Sequence, residues 1–198
     1  MRRRLAAATI GLALILGLAP STPVSLAQGT PQALAPGDDA PRLKARIFPG
    51  NVQREVDWTQ NELTLVNFWA AWCKPCREEM PKLQILHNEL RDDGFEVIGP
   101  IFDVEFSHEA VADYLESYKI SYPILKTHIH FNRLWGGITI LPTSFLVSGE
   151  GKVLRRYIGA MPEQTKGLMA DVRAVIAGRP MDPQVIPGPP GEAPLFDE

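Results

Sequence analysis

Leu63-Thr64-Leu65-Val66-Asn67-Phe68-Trp69-Ala70-Ala71-Trp72-Cys73-Lys74-Pro75-Cys76-Arg77-Glu78-Glu79-Met80-Pro81 holds two periodicities on either side of a short break. Leu63 to Trp69 is apolar and β-prone, the pattern of a strand covered on both faces. Arg77 to Leu90 has apolar residues at helical spacing. The C-x-x-C pair therefore stands at a strand-to-helix junction, where free helix N–H groups and the helix dipole favour an anion. Cys73 and Cys76 are the only cysteines in the 198 residues. They can react with each other or with a partner molecule, and redox exchange is the leading expectation.

Outward from that junction the elements alternate. Ala45 to Phe48 and Val52 to Val56 flank Pro49-Gly50-Asn51, a hairpin signal. Phe95 to Phe102 is a second apolar strand, and Glu109 to Tyr118 places Val111, Tyr114, Leu115 and Tyr118 on one helical face. Thr143 to Val147 and Val153 to Ile158 flank Ser148-Gly149-Glu150-Gly151, a second hairpin. Pro162 to Ala177 reads as a closing helix with Leu168, Met169, Val172 and Ile176 on its inner stripe. Strands first separated by helices and then joined by a hairpin imply an α/β fold with a mixed sheet.

The chain ends differ from this core. Arg2 to Arg4, an apolar run from Leu5 to Ala19, and Ser25-Leu26-Ala27 form the pattern of a secretory signal peptide over 1–27. The alternative is an uncleaved anchor, although the run is shorter than the roughly 20 residues a spanning helix needs. Either reading places the domain outside the cytoplasm, with membrane contact only if the segment is uncleaved. Residues 28–41 read as a linker, 42–178 as one globular domain, and 179–198 as a Pro/Gly-rich disordered tail. Formal net charge is −3 and grows more negative without the three leader arginines, so a nucleic-acid role has no electrostatic support.

Val66 to Cys76 followed by Glu79-Met80-Pro81, then Leu141-Pro142-Thr143-Ser144-Phe145-Leu146 and Gly149 to Val153, resembles the thioredoxin superfamily, in its extracytoplasmic TlpA- and ResA-like branch. The resemblance implies a thioredoxin-like fold: a central mixed sheet flanked by helices, an N-terminal hairpin, and an inserted helix between the central strands near Glu109 to Lys119. Asn67 stands where thioredoxin has a buried aspartate, and Glu79 stands where this branch carries a glutamate on the active helix. Pro142 is implied to be a cis proline facing the cysteines, with Leu141 and Thr143 offering backbone groups to an extended partner peptide.

Cys73, nearer the helix end, is expected to be the attacking thiol, its thiolate favoured by the dipole and by Lys74. Cys76 would resolve the mixed disulfide, and Glu79, three residues on and on the same face, could shuttle its proton. A purely structural disulfide closing so small a loop would restrict the unfolded chain little. Zinc needs about four ligands, and haem attachment needs a histidine where Arg77 stands, so neither metal nor cofactor is called for. Trp69 reads as core and Trp72 as a shield for the thiols. Pro81 is read as structural. His128 and His130 alternate along what reads as an extended segment, and a copper or zinc pair there is a minor alternative.

No histidine lies between the cysteines, which resembles the reducing members of the superfamily. The expectation is a reductase of disulfide-bearing exported proteins, such as apocytochrome c or copper-site cysteines, re-reduced by a membrane thiol carrier. An oxidase or isomerase of the same fold, and a non-enzymatic copper(I) carrier, stand as alternatives. The dedicated cytochrome-maturation reductases tend to carry glutamate where Thr143 follows the proline.

Overall fold

The computed structural model describes residues 33–102, 107–127, 129–159 and 162–183. The leader 1–27 and most of the C-terminal tail lie outside the described residues. Seven strands, β1 (Lys44–Phe48), β2 (Gln53–Glu55), β3 (Leu63–Phe68), β4 (Phe95–Ile101), β5 (Ile124–Lys126), β6 (Thr143–Ser148) and β7 (Val153–Ile158), form one sheet in the order β2-β1-β5-β4-β3-β6-β7. Among the described residues four α-helices accompany it: α1 (Lys74–Leu90), α2 (His108–Ser117), α3 (Ile129–Leu134) and α4 (Pro162–Ile176). β3 runs parallel to β4 and antiparallel to β6, so the sheet is mixed as expected.

Every residue of β3 is buried, and its alternation sorts two cores. Leu63 and Leu65 join Met80, Leu83 and Leu86 of α1. Val66 and Phe68 join Trp135, Phe145 and Leu125 on the opposite face. Asn67 shares the parity of Leu63 and Leu65, which turns its amide towards the α1 side. Register then sets it directly across from Ser144 of β6.

Cys73 caps α1, Pro75 occupies the first turn, and the helix continues through Pro81. Its buried residues are Cys76, Glu79, Met80, Leu83, Gln84 and Leu86, the three- and four-residue spacing of one stripe. Two of these are polar. Gln84 binds the insertion, its Oε1 accepting from the backbone N–H of Ser121 at 2.7 Å and its Nε2 donating to Ser121 Oγ at 3.0 Å.

Four expectations change. β5 is a three-residue strand paired with β1 and β4 where the sequence pattern marks no element. His130 falls in the helix α3 rather than on an extended segment, and His128 lies outside the described residues. Part of the 28–41 linker is bonded to the sheet: Gly37 N–H donates to Val153 O at 2.8 Å and Ala40 N–H to Gly151 O at 2.8 Å, while Asp39 bridges Lys152. These bonds are backbone-made, so no apolar period announces them. The start of the 179–198 tail is likewise held, with the Asp182 N–H donating to Asp171 Oδ1 at 3.2 Å.

Candidate active site

The break between β3 and α1 is closed by the Cys73–Cys76 disulfide, with an S–S distance of 2.04 Å. Cys73 is 4% exposed and Cys76 1%, so the more N-terminal sulfur is the more accessible of two buried atoms. Cys76 N–H points at Cys73 Sγ over 3.3 Å, the helix capping its own first turn with sulfur. The same N–H would face a thiolate at Cys73 after reduction and, with the helix dipole, would favour that anion.

Lys74 was expected to add to that effect, but its ammonium is paired with Glu78 one turn on. Both side chains are largely exposed, and the carboxylate offsets the lysine's charge near the sulfur. Arg77 turns inward instead, its guanidinium donating to Ala71 O in the loop before the cysteines. That bond ties the loop to the first turn of α1.

Glu79, one turn beyond Cys76, is 4% exposed. Its Oε1 accepts from Thr165 Oγ1 of α4 at 3.1 Å and its Oε2 from Asn67 Nδ2 at 3.2 Å. Burial pushes its pKa above the usual carboxylate range, while the two donors and the nearby Lys82 charge pull it down. Asn67 Nδ2 also reaches Ser144 Oγ at 2.8 Å. The residue read from sequence as a missing acid is therefore a donor to the acid that is present. Thr165 and Ser144 were not singled out in sequence; Thr165 lies one turn ahead of Leu168 and Met169 on the inner stripe, and Ser144 follows Pro142 by two.

The Leu141–Pro142 peptide is cis, as the resemblance implies, and so is Phe48–Pro49. Leu141 is half-buried ahead of β6. Thr143 does not serve as expected. It is registered with Phe68 of β3 on one side and Ile158 of β7 on the other, so its backbone groups are directed into the sheet. Its hydroxyl donates to Ile140 O at 2.7 Å. Trp69 is fully buried, whereas Trp72 is 57% exposed beside the disulfide. The two cysteines are part of the same core cluster as Trp69, Met80, Tyr157 and Leu168. Among the described residues no group of three or more His, Cys, Asp or Glu side chains could hold a metal.

A mixed sheet with a disulfide at the N-terminus of a helix packed on it by one face, a cis proline, and a buried acid on the same helical stripe defines a thioredoxin-fold thiol:disulfide oxidoreductase. Residues 36–156 match the AhpC/TSA family, and the chain belongs to it. Thiol-disulfide oxidoreductase ResA of Bacillus anthracis is 32% identical over 132 residues, which span 66% of this chain and 72% of that one. The ResA of Bacillus subtilis (strain 168) is 29% identical over 133 residues, spanning 67% and 72%. Among solved structures, a thioredoxin-family thiol:disulfide interchange protein from Chlorobium tepidum TLS is 26% identical with a TM-score of 0.59, covering 71% of this chain and 98% of its own. A thiol:disulfide interchange protein from Bacteroides sp. is 25% identical with a TM-score of 0.61, covering 73% and 92%.

Proposed function

We propose that this oxidoreductase works as a reductase of selected exported proteins outside the cytoplasm. The observation that carries the direction is the environment of Cys73. Its sulfur receives one backbone N–H, and the adjacent lysine is paired with Glu78. A thiolate so modestly stabilised leaves the reduced form high in free energy and ready to give up electrons.

In the reaction, the Cys73 thiolate attacks one sulfur of the client disulfide. A Cys73–client bond forms as the client S–S bond breaks, and the first client thiolate leaves. Glu79, as carboxylate, accepts the Cys76 proton. Cys76 then attacks Cys73 Sγ, the intramolecular disulfide forms, and the second client thiolate departs. Two electrons pass from the dithiol to the client, whose thiolates take up two protons. Leu141 offers its backbone to the client segment, and exposed Trp72 meets it beside the disulfide. Clients such as apocytochrome c or copper-site cysteines, and re-reduction by a membrane thiol carrier, follow from the resemblance. The signal-like segment 1–27 supports export.

Equilibration of the Cys73–Cys76 pair against glutathione or dithiothreitol tests the direction. A potential of about −270 mV is expected, and one of about −120 mV would identify an oxidant instead. Cys76→Ser, which halts the reaction at the mixed disulfide, would then capture the client.

A further inference from the structure

We infer that Thr165, on the closing helix, is a positioning residue for proton transfer at Glu79, its hydroxyl staying bonded to the carboxyl group in both protonation states. The inference rests on the reading of Glu79 as proton acceptor for Cys76.

The carboxyl group is gripped on separate oxygens from two elements that do not share a backbone. Asn67 of β3 holds Oε2 at 3.2 Å and Thr165 of α4 holds Oε1 at 3.1 Å. Asn67 is 1% exposed and Thr165 5%, so water does not replace either donor freely. The two donors differ in kind. An amide NH2 donates only, so it suits the carboxylate and opposes the acid, whereas a hydroxyl turns from donor to acceptor by rotating its O–H bond. Thr165 can follow the proton on and off without moving its heavy atoms. The Oδ1 of Asn67 is buried with no hydrogen-bond partner, so the amide is not balanced around Glu79 as the hydroxyl is.

Burial raises the Glu79 pKa and so works against the carboxylate that must accept from Cys76, while the hydrogen bonds from Thr165 and Asn67 work for it. Its charged or titratable neighbours are Lys82 on the same helix and Tyr122 ahead of β5, with the thiols of Cys73 and Cys76 after reduction. Asn67, Ser144 and Thr165 from β3, β6 and α4 bring no charge. Two neutral donors therefore favour the carboxylate against burial alongside the Lys82 charge, and Thr165 is one of them.

The test is single-turnover oxidation of the reduced full chain by oxidised glutathione, at concentrations where the first attack is not limiting, followed from acid to alkaline pH. Thr165→Val keeps the shape and removes the hydroxyl. Its rate limb should move to higher pH by about one unit and its rate below that limb should fall about tenfold. Thr165→Ser should return the rate to within about twofold of wild type. Thr165→Ala is read in the same way should the valine variant not fold. Glu79→Gln is the reference and should abolish the limb. If Glu79→Gln abolishes it while both Thr165→Val and Thr165→Ala keep the wild-type profile, the role of Thr165 is overturned and that of Glu79 stands. If Glu79→Gln leaves the profile intact, the Glu79 reading itself falls and the inference with it.

Discussion

The phenol of Tyr114 donates to the carbonyl of Arg77 at 2.8 Å, and that carbonyl is the one whose helical donor would be residue 81. Pro81 has no N–H, so a side chain of the inserted helix α2 supplies the bond that α1 cannot make for itself. Burial raises the Tyr114 pKa to about 12, which keeps the phenol a donor at any working pH. The carbonyl belongs to the residue that follows Cys76, so the insertion reaches the redox turn through one hydrogen bond.

Tyr114→Phe should therefore cost about 1–2 kcal/mol, the cost of leaving a half-buried carbonyl unpaired. In a Pro81→Ala background an N–H returns to position 81 and the cost should fall to less than half of that. Urea unfolding of the four proteins gives the coupling as a double-mutant cycle. Equal costs in both backgrounds would show that Tyr114 and Pro81 are unconnected.

Glu79 predicts a pH dependence of stability with a definite sign. Its folded pKa is raised by burial, so in the window above the ordinary carboxylate pKa the native state binds more protons than the unfolded chain. Stability contributed by this group is full at low pH and is lost as pH rises through the folded value. Glu79→Gln removes that loss. Urea midpoints of the two proteins should diverge in favour of the glutamine form as pH rises, and parallel curves would refute the burial argument.

Asp171 is fully buried and accepts from Arg155 Nη1 and Tyr157 Oη, each at 2.6 Å. Asp171→Ala strands a guanidinium that is 13% exposed and removes the acceptor of the Asp182 N–H. A loss of about 3–5 kcal/mol is expected, measurable as a fall in thermal midpoint. Asp171→Asn keeps acceptors for Tyr157 and Asp182 and should recover part of it.

Gly99 sits in β4 against the side chains of Ile124, Tyr122 and Trp69. A Cβ there would lie 2.8 Å from Ile124 Cδ1, 3.1 Å from Tyr122 Cε2 and 3.2 Å from Trp69 Nε1. Gly99→Ala should cost about 1–3 kcal/mol through overpacking, despite alanine's lower backbone entropy cost. A calorimetric midpoint unchanged from wild type would contradict this packing.

The strand β3 and helix α1 were legible because each carries a long, unambiguous apolar period. Glu79 was legible too, from the glutamate that the resembling branch carries on the active helix and from its spacing of three after Cys76. β5 and α3 were not, being three and six residues long and therefore too short to show a period; packing against β1, β4 and Trp135's neighbours creates them. The place of Thr143 was half legible: its hairpin pairing with β7 shows in the sequence, whereas the pairing of β6 with β3 on its other side joins distant segments that local sequence does not connect. Thr165 escaped notice for a related reason. It continues an apolar stripe by one turn, and only the fold reveals that the stripe meets a carboxyl group there.

The bonds from residues 37–40 to the β6–β7 turn have a mechanical consequence. β6 starts at Thr143, opposite Phe68, and ends at Ser148, opposite Leu63, so that turn lies at the end of the sheet remote from Cys73. The clasp between Asp39 and Lys152 is thus fixed at the pole of the domain opposite the disulfide, so a load on residues 37–40 falls on the β6–β7 turn and not on the loop that carries Cys73 and Cys76.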